Sequence, residues 1–239
     1  MKKIAVIIPA YRESANIIEL CKDILSNYER ADILIVDDSP DTHTIDVVKE
    51  FSHPQVNLLH RKTKGGRGSA VIFGINHYIS GSYDYFLEVD ADFSHPPSEI
   101  LGLVKHAEEK NLDLLIASRY LHKSKIVNWP LTRRVFSKAA NLIARILLQV
   151  PVHDYTNGFR LYSKNGAIEL VNTCGKLGSG FIALSEILVN LYYRGYKVDE
   201  IPTIFINRIR GESSLSPKEI WNALTGLTKI YQLKRQLSK

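Results

Sequence analysis

Two aspartates separated by one residue are the side chains in this chain best suited to chemistry. Asp90 and Asp92 follow an apolar run, residues 85–87, with only Glu88 and Val89 between; the run is typical of a buried strand, and two prolines and a helical pattern come after the aspartates. Two carboxylates at the end of one strand can face the same hard cation. Such oxygen ligands suit Mg²⁺ or Mn²⁺, which keep waters and substrate phosphates in their coordination shell. The alternative interpretation is an acidic turn that caps the next helix.

Polar side chains also follow the other expected strands. They are Tyr11, Arg12 and Glu13 after the first strand, Asp37 and Asp38 after the second, and Ser118, Arg119 and Tyr120 after the fifth. In a parallel sheet the carboxyl ends of the strands meet at one edge, and ligands bind there. We therefore expect these residues to form one site together with the aspartates.

The elements that must position this site alternate between apolar strands and amphipathic helices. The predicted strands are residues 4–10, 33–36, 56–59, 85–89 and 112–117, and the predicted helices are residues 14–25 with Ser14 as N-cap, a segment ending near 51, one ending near 79, and 97–110. This alternation predicts an α/β fold with a mostly parallel sheet and helices on both faces.

A glycine-rich segment, residues 64–70 (KGGRGSA), enters the third helix. It follows the third strand and lacks both the Gly-x-Gly-x-x-Gly dinucleotide pattern and the Gly-Lys-Ser/Thr ending of a P-loop. We interpret it as a tight turn that allows close helix–strand approach.

The second half of the chain leaves two helices open to interpretation. After a polar loop at 122–128 and Trp129-Pro130, a basic amphipathic helix extends to about Leu148. It is either a core helix with a solvated basic face or a helix beside a membrane or an anionic lipid. The chain continues with a strand-like segment up to 162, helices near 164–172 and 181–193, a strand-like segment over 198–207 and a helix at 217–237. The last helix either packs on the domain or docks on a partner.

Composition limits the partners and the compartment. The 239 residues carry a net charge of +6 with a pI of about 9.2, so an anionic partner is expected. Nucleic acid is excluded as a partner, because the aromatic residues do not interleave with a basic stripe. Two cysteines form no disulfide framework, which fits a reducing cytoplasmic setting. No apolar run reaches the ~18 residues that a bilayer span requires.

Several separated motifs, in this order, resemble the nucleotide-diphospho-sugar glycosyltransferases of family 2, and within it the dolichol-phosphate (polyprenyl-phosphate) mannosyltransferases. The resemblance runs from Ile4 to about Leu215. Its motifs are PAYRE at 9–13, DDSPD at 37–41, DADFSHPP at 90–97, ASRY at 117–120, Trp129-Pro130 with Arg133 and Ser137, DYTNGFR at 154–160 and RIRGES at 208–213. The family often has glutamine where Ser94 stands, which leaves a third metal contact open.

The resemblance implies a GT-A fold and a role for each matching residue. Residues 1–215 would form the catalytic domain, with a nucleotide-sugar-binding half (1–120) and an acceptor-binding half (121–215), and 216–239 an amphipathic docking helix. The implied donor site is Pro9, Tyr11, Glu13, Val36, Asp38, Asp90, Ala91 and Asp92, with the metal on Asp90 and Asp92. The implied acceptor-phosphate site is Arg119, Arg133, Ser137 and Arg208. The implied catalytic residues are Asp90, Asp92 and Arg119.

The implied reaction is the inverting, Mg²⁺- or Mn²⁺-dependent transfer of a hexose to the phosphate of dolichyl or polyprenyl phosphate. Mannose from GDP-mannose is the expected sugar, and glucose from UDP-glucose is the alternative. A saccharide acceptor, or a non-catalytic module that binds nucleotide sugars or membrane, are the rival hypotheses. The expected partners are a membrane surface, on its cytosolic face, and small membrane-anchoring subunits.

Overall fold

A seven-stranded sheet lies at the centre of the computed structural model, which describes residues 1–178, 181–207 and 217–238. The strands are β1 (Ile4–Ala10), β2 (Ala31–Asp37), β3 (Val56–His60), β4 (Tyr85–Glu88), β5 (Leu114–Ser118), β6 (Lys125–Val127), β7 (Arg160–Ser163), β8 (Val198–Pro202) and β9 (Ile204–Ile206). The large sheet has the order β3-β2-β1-β4-β7-β5-β8, and β6 pairs with β9 in a second, small sheet.

Helices cover both faces of the large sheet. They are α1 (Ile17–Asn27), α2 (His43–Phe51), α3 (Arg67–Tyr78), α4 (Ile100–Lys110), α5 (Leu131–Leu148), α6 (Lys164–Thr173), α7 (Phe181–Tyr193) and α8 (Pro217–Leu237), and a short 3₁₀ turn (Pro97–Glu99) precedes α4. Buried side chains of α1, α2 and α4 fill one face, and those of α3 and α5–α8 fill the other. Continuously apolar strands such as β1 are therefore buried on both sides. The predicted α/β class, with a mostly parallel sheet, is confirmed.

One strand of the sheet runs against the others and was predicted only as a strand-like segment. β7 lies between β4 and β5 and is antiparallel to both, so that Arg160 is opposite Glu88 on one side and Ile116 on the other. The fourth and fifth predicted strands are therefore not neighbours. Because β7 comes from the second half of the chain, it joins that half to the sheet.

The first helix starts later than predicted. Ser14 is not its N-cap, because the Glu13 carbonyl accepts hydrogen bonds from the backbone N–H groups of Asn16 and Ile17, at 2.9 and 3.0 Å. These bonds form a turn, and α1 begins at Ile17 with Asn16 as N-cap.

The segments at 122–128 and 198–207 also differ from their predictions. The polar loop contains β6, and the predicted single β segment is divided at Thr203 into β8 and β9, which belong to different sheets. Glu99 fixes this division, since its carboxylate accepts hydrogen bonds from the Thr203 hydroxyl and from the backbone N–H of the next residue. A side chain that is distant in sequence therefore ends β8.

The helix α5 is only partly packed. Its buried residues are Asn141, Ala144 and Leu148, and large apolar side chains are exposed elsewhere on the helix. At its end, Lys234 of α8 donates to the Leu147 carbonyl at 3.0 Å. Among the helices of the described ranges, none is long and apolar enough to cross a bilayer.

Candidate active site

The carboxyl ends of β1, β2, β4 and β5 carry the predicted site residues. Ala10 and Asp37 are register partners at the ends of β1 and β2, and β4 ends at Glu88, just before Asp90 and Asp92. Parallel strands thus bring the polar segments to one edge of the sheet, as their spacing predicts.

Asp90 is held by two basic side chains. Arg67 Nε donates to Oδ1 at 2.7 Å, Nη2 lies 2.7 Å from the same oxygen as an ion-pair contact, and His95 Nε2 lies 3.2 Å from Oδ2. Burial alone would raise the pKa of the Asp90 carboxyl, but Arg67 and then His95 hold that pKa below its usual range. Asp90 is therefore ionised and fixed in orientation.

Arg67, at the first position of α3, was missed by the sequence analysis as a site residue. Its guanidinium also bonds Glu88 and donates to the Gly158 carbonyl at 3.2 Å, while Tyr162 donates to the other Glu88 oxygen at 2.8 Å. Burial would lower the pKa of Arg67, but Asp90 and Glu88 raise it above its ordinary value. The glycine-rich turn thus places a permanently charged guanidinium against Asp90. The signal in the sequence that could have indicated this ion pair is the single arginine among the glycines of the turn.

Asp92 is oriented by its own turn. Phe93 has a positive φ of 61°, and the Ser94 backbone N–H (3.1 Å) and hydroxyl both donate to Asp92 Oδ1. Ser94, the open third metal contact of the sequence analysis, therefore bonds the aspartate.

The residues present would fit a divalent metal held through two protein ligands. Asp90 and Asp92 supply hard oxygen atoms, and no group of three or more His, Cys, Asp or Glu suited to a metal occurs among the described residues. Mg²⁺ is usually bound in this way, through one or two carboxylates with water and substrate phosphate as the remaining ligands. Further ligands would then come from solvent and the donor.

Tyr11 lies at the surface of the predicted nucleoside side, between two cations. Its ring is 38% exposed, Lys64 Nζ is 3.5 Å from its centroid, and the Arg12 guanidinium carbon is 5.5 Å away. Pro9 and Val36 are register partners on the neighbouring strands. An exposed ring beside two cations can stack against a base and attract phosphate.

Asp38 holds the glycine-rich segment. Arg61 donates to both of its oxygens at 2.6 Å, and the backbone N–H of Gly65 donates to Oδ2 at 3.1 Å. This bidentate pair was not predicted, and the part of Asp38 in nucleoside binding stays a prediction. Glu13 accepts from the Asn16 amide at 2.8 Å, and Ala91, between Asp90 and Asp92 in the chain, is buried.

Arg119 is a buried cation clamped by one carboxylate. Its Nε and Nη2 donate to the two oxygens of Asp154 at 2.7 Å each, its backbone N–H donates at 3.0 Å, and Nη2 also reaches the Thr156 hydroxyl at 2.7 Å. Burial would lower the pKa of Arg119, but Asp154 raises it; the reciprocal attraction, working against burial, lowers the pKa of Asp154. Both groups are therefore charged.

Aromatic rings join Arg119 to two other predicted acceptor residues. The Trp129 ring lies 5.5 Å from the Arg119 guanidinium carbon and 4.2 Å from that of Arg133, and Tyr120 donates to the Ser137 hydroxyl at 2.6 Å. Arg133 Nη1 donates to the Asn207 side chain at 3.3 Å. Arg208, the fourth predicted acceptor residue, lies outside the described residues.

Comparison with known proteins gives concordant results. The profile of the family described as Glycosyl transferase family 2 matches residues 5–171. The chain is 33% identical, over 92% of its length, to the polyprenol monophosphomannose synthase of Mycolicibacterium smegmatis, of which it covers 83%. It is 32% identical, over 95% of its length, to the undecaprenyl-phosphate mannosyltransferase of Micrococcus luteus, of which it covers 93%.

A solved structure shares the fold. It is the glucosyl-3-phosphoglycerate synthase of Mycobacterium tuberculosis in complex with Mn²⁺, UDP and glucosyl-3-phosphoglycerate. The two structures superpose with a TM-score of 0.70 over 97% of this chain and 80% of the other, at 17% identity. The likeness establishes a GT-A fold.

Proposed function

Because the chain belongs to glycosyl transferase family 2, we propose that it transfers mannose from GDP-mannose, with inversion, to the phosphate of a polyprenyl phosphate. The observation that carries this proposal is the pair of ionic clusters at one sheet edge. Asp90 and Asp92 suit a metal and a donor diphosphate, whereas Arg119 and Arg133 suit a second anion. The two similar mannosyltransferases favour mannose over the alternative, glucose from UDP-glucose.

The residues present fit chemistry that needs positioning more than proton transfer. Mg²⁺ or Mn²⁺, held by Asp90 and Asp92, would stabilise the negative charge of the leaving diphosphate. A phosphomonoester has a second pKa of ~6, so the acceptor is already anionic at neutral pH and can attack the sugar carbon without a general base. Arginine side chains suit the task of holding such a phosphate.

The state of Asp154 supports a phosphate acceptor over a saccharide. A sugar hydroxyl would need a base to remove its proton. Both oxygens of Asp154 are bonded to Arg119, and the pKa of its carboxyl is lowered despite burial. These properties suit it to position Arg119, not to accept a proton.

The exposed face of α5 supports a membrane surface as a partner. Its exposed large apolar side chains are Leu131, Val135, Phe136, Leu142, Ile143, Ile146 and Leu147. At 100° per residue they occupy one continuous arc, and Arg134, Lys138 and Arg145 lie along one edge of it. An apolar face bordered by cations is typical of helices that lie in the interface of an anionic bilayer. In the proposal, this face docks the catalytic domain (1–215) on the cytosolic side, and 216–239 assists.

A transfer assay tests the function. The purified protein is incubated with Mn²⁺ or Mg²⁺, a polyprenyl phosphate in detergent, and labelled GDP-mannose or UDP-glucose. We expect organic-extractable label from GDP-mannose that EDTA abolishes. Absence of extractable label with every donor would refute the proposal, and label from UDP-glucose alone would favour the alternative sugar.

The Asp92→Asn variant separates an enzyme from a binding module. It removes the charge of one proposed metal ligand, so we expect transfer to fall at least about 100-fold, the loss typical for one electrostatic catalytic group. A non-catalytic module would yield no transfer with the parent protein, and its nucleotide-sugar binding would be largely unchanged in the variant. Binding is measured by calorimetry. Small anchoring subunits are tested by comparing native membranes with protein-free liposomes of the same lipids, since a need for such subunits would let only the native membranes raise activity.

A further inference from the structure

A cation of the protein already occupies Asp90, the carboxylate that the proposed metal would use. Arg67 donates to Asp90 Oδ1 from Nε, its Nη2 forms an ion pair with the same oxygen, and its side chain is only 20% exposed. The sequence resemblance gives this arginine no part in the site. A fixed positive charge at this position acts on any second cation that approaches the same carboxylate.

Arg67 is anchored so that its charge stays in place. Glu88, which is 1% exposed, bonds the guanidinium with one oxygen and accepts from Tyr162 with the other. On the opposite side the guanidinium donates to the Gly158 carbonyl, and a Cβ built at Gly158 would come within 1.8 Å of Arg67 Nη2. The protein backbone therefore approaches the guanidinium closely, and a side chain at position 158 would displace it.

We propose that Arg67 makes metal binding at Asp90 and Asp92 conditional on the anionic diphosphate of the donor. Without a nucleotide, the guanidinium neutralises Asp90 and repels a divalent ion. The diphosphate adds negative charge beside both the Arg67 guanidinium and the metal ion and so offsets their repulsion. Metal and nucleotide therefore bind with positive coupling. The inference rests on the proposed function, since it assumes the metal site named there. It makes Arg67 a positioning residue that couples metal binding to donor binding.

The consequence for the reaction is that the metal is admitted together with the donor. An ion bound alone at two carboxylates would have to be rearranged when the diphosphate arrives. Coupling is reciprocal, so the factor by which GDP tightens Mn²⁺ binding equals the factor by which Mn²⁺ tightens GDP binding.

The coupling is measured directly by titration of Mn²⁺, with the free ion followed by electron paramagnetic resonance. The parent, Arg67→Gln and the double variant R67M/E88Q are titrated with and without saturating GDP. The double variant removes one cation and one anion and so preserves the charge balance of the buried pair. In the neutral variants we expect Mn²⁺ without nucleotide to bind about tenfold tighter than in the parent, and the coupling factor to fall about tenfold, within the range typical of coupled sites.

Arg67→Lys tests charge against shape. Lysine keeps the charge and loses the planar fork, so Mn²⁺ affinity without nucleotide should stay within about threefold of the parent. Arg194→Met is the matched control, because Arg194 is also paired with a glutamate, Glu169, but away from the site. This control should leave the Mn²⁺ affinity unchanged both with and without GDP. Circular dichroism melts establish that each variant is folded. If Arg67→Gln does not fold, the charge-balanced double variant R67M/E88Q still provides the neutral measurement.

Two outcomes would overturn the inference. One is that the neutral variants bind Mn²⁺ without nucleotide as weakly as the parent and keep its coupling factor. The other is that Arg67→Lys behaves like the neutral variants, which would make the fork, not the charge, responsible. If the parent binds no Mn²⁺ with either GDP or UDP, the proposed metal-dependent function fails as well. If the parent shows coupling that Arg67 does not affect, only this inference fails.

Discussion

Replacing Asp154 with asparagine should destabilise the protein measurably, because it leaves Arg119 as an unpaired buried cation. The carboxylate accepts three hydrogen bonds from Arg119, and the two side chains are 5% and 0% exposed. Breaking a buried ion pair on one side costs about 3–5 kcal/mol. Asparagine keeps one acceptor oxygen, so we expect the lower end, about 3 kcal/mol, in the free energy of unfolding.

The assay is thermal and denaturant unfolding of the parent and variants. At about 2–4 °C per kcal/mol for a chain of this size, the melting temperature should fall by about 6–12 °C. The double variant R119M/D154N removes the stranded charge and should recover part of the loss. A D154N protein that melts within about 1 °C of the parent would refute the reasoning, as would a double variant whose loss equals the sum of the two single losses.

The remaining predictions concern the acceptor, the membrane and pH. Arg133→Ala should raise the KM for polyprenyl phosphate about tenfold or more, the value of a charge-assisted bond, and leave GDP affinity in calorimetry unchanged; a matching loss of GDP affinity would contradict the assignment. L142S/I146S should lower sedimentation with anionic liposomes at least about tenfold, whereas a serine in place of Ile168, which is also exposed but lies on α6, should not; an equal loss in the Ile168→Ser control would contradict docking through α5. The folded protein lowers the pKa of Asp154 below its unfolded value of 3.8, so the stability that this carboxylate contributes is present above pH 3.8 and is lost as pH falls through the folded pKa. The D154N variant should therefore lose less unfolding free energy than the parent between about pH 5 and pH 2. Parallel plots of unfolding free energy against pH for the two proteins would contradict this.

The sequence predicted the features that depend on local pattern. Apolar runs and helical periodicity gave the alternating order of strands and helices, and the parallel arrangement then placed Asp90 and Arg119 at one edge of the sheet. The strand ends follow from chain direction alone, so no distant contact had to be known.

The features that it did not predict depend on pairing between distant segments. The four residues of β7 carry no local sign that they enter between β4 and β5. Arg67 meets Asp90 across 23 residues, and Arg61 meets Asp38 across the same separation. An ion pair of this kind leaves no periodicity in the sequence, because only the folded sheet edge brings its members together. The glycines at 65, 66 and 68 indicated the turn at 64–70, but they did not indicate that Arg67 within it pairs with Asp90.

The loop before β7 limits how the enzyme can be engineered. Arg160, which is fully buried, donates to the carbonyls of Tyr155, Asn157 and Leu184, and so ties residues 155–157 to α7. The loop as a whole begins at Asp154, whose carboxylate binds Arg119, and ends at Gly158, whose carbonyl accepts from Arg67. A change in its length would disturb the surroundings of Arg119 and of Arg67 together. Libraries that aim at a new acceptor should therefore keep residues 154–160 constant.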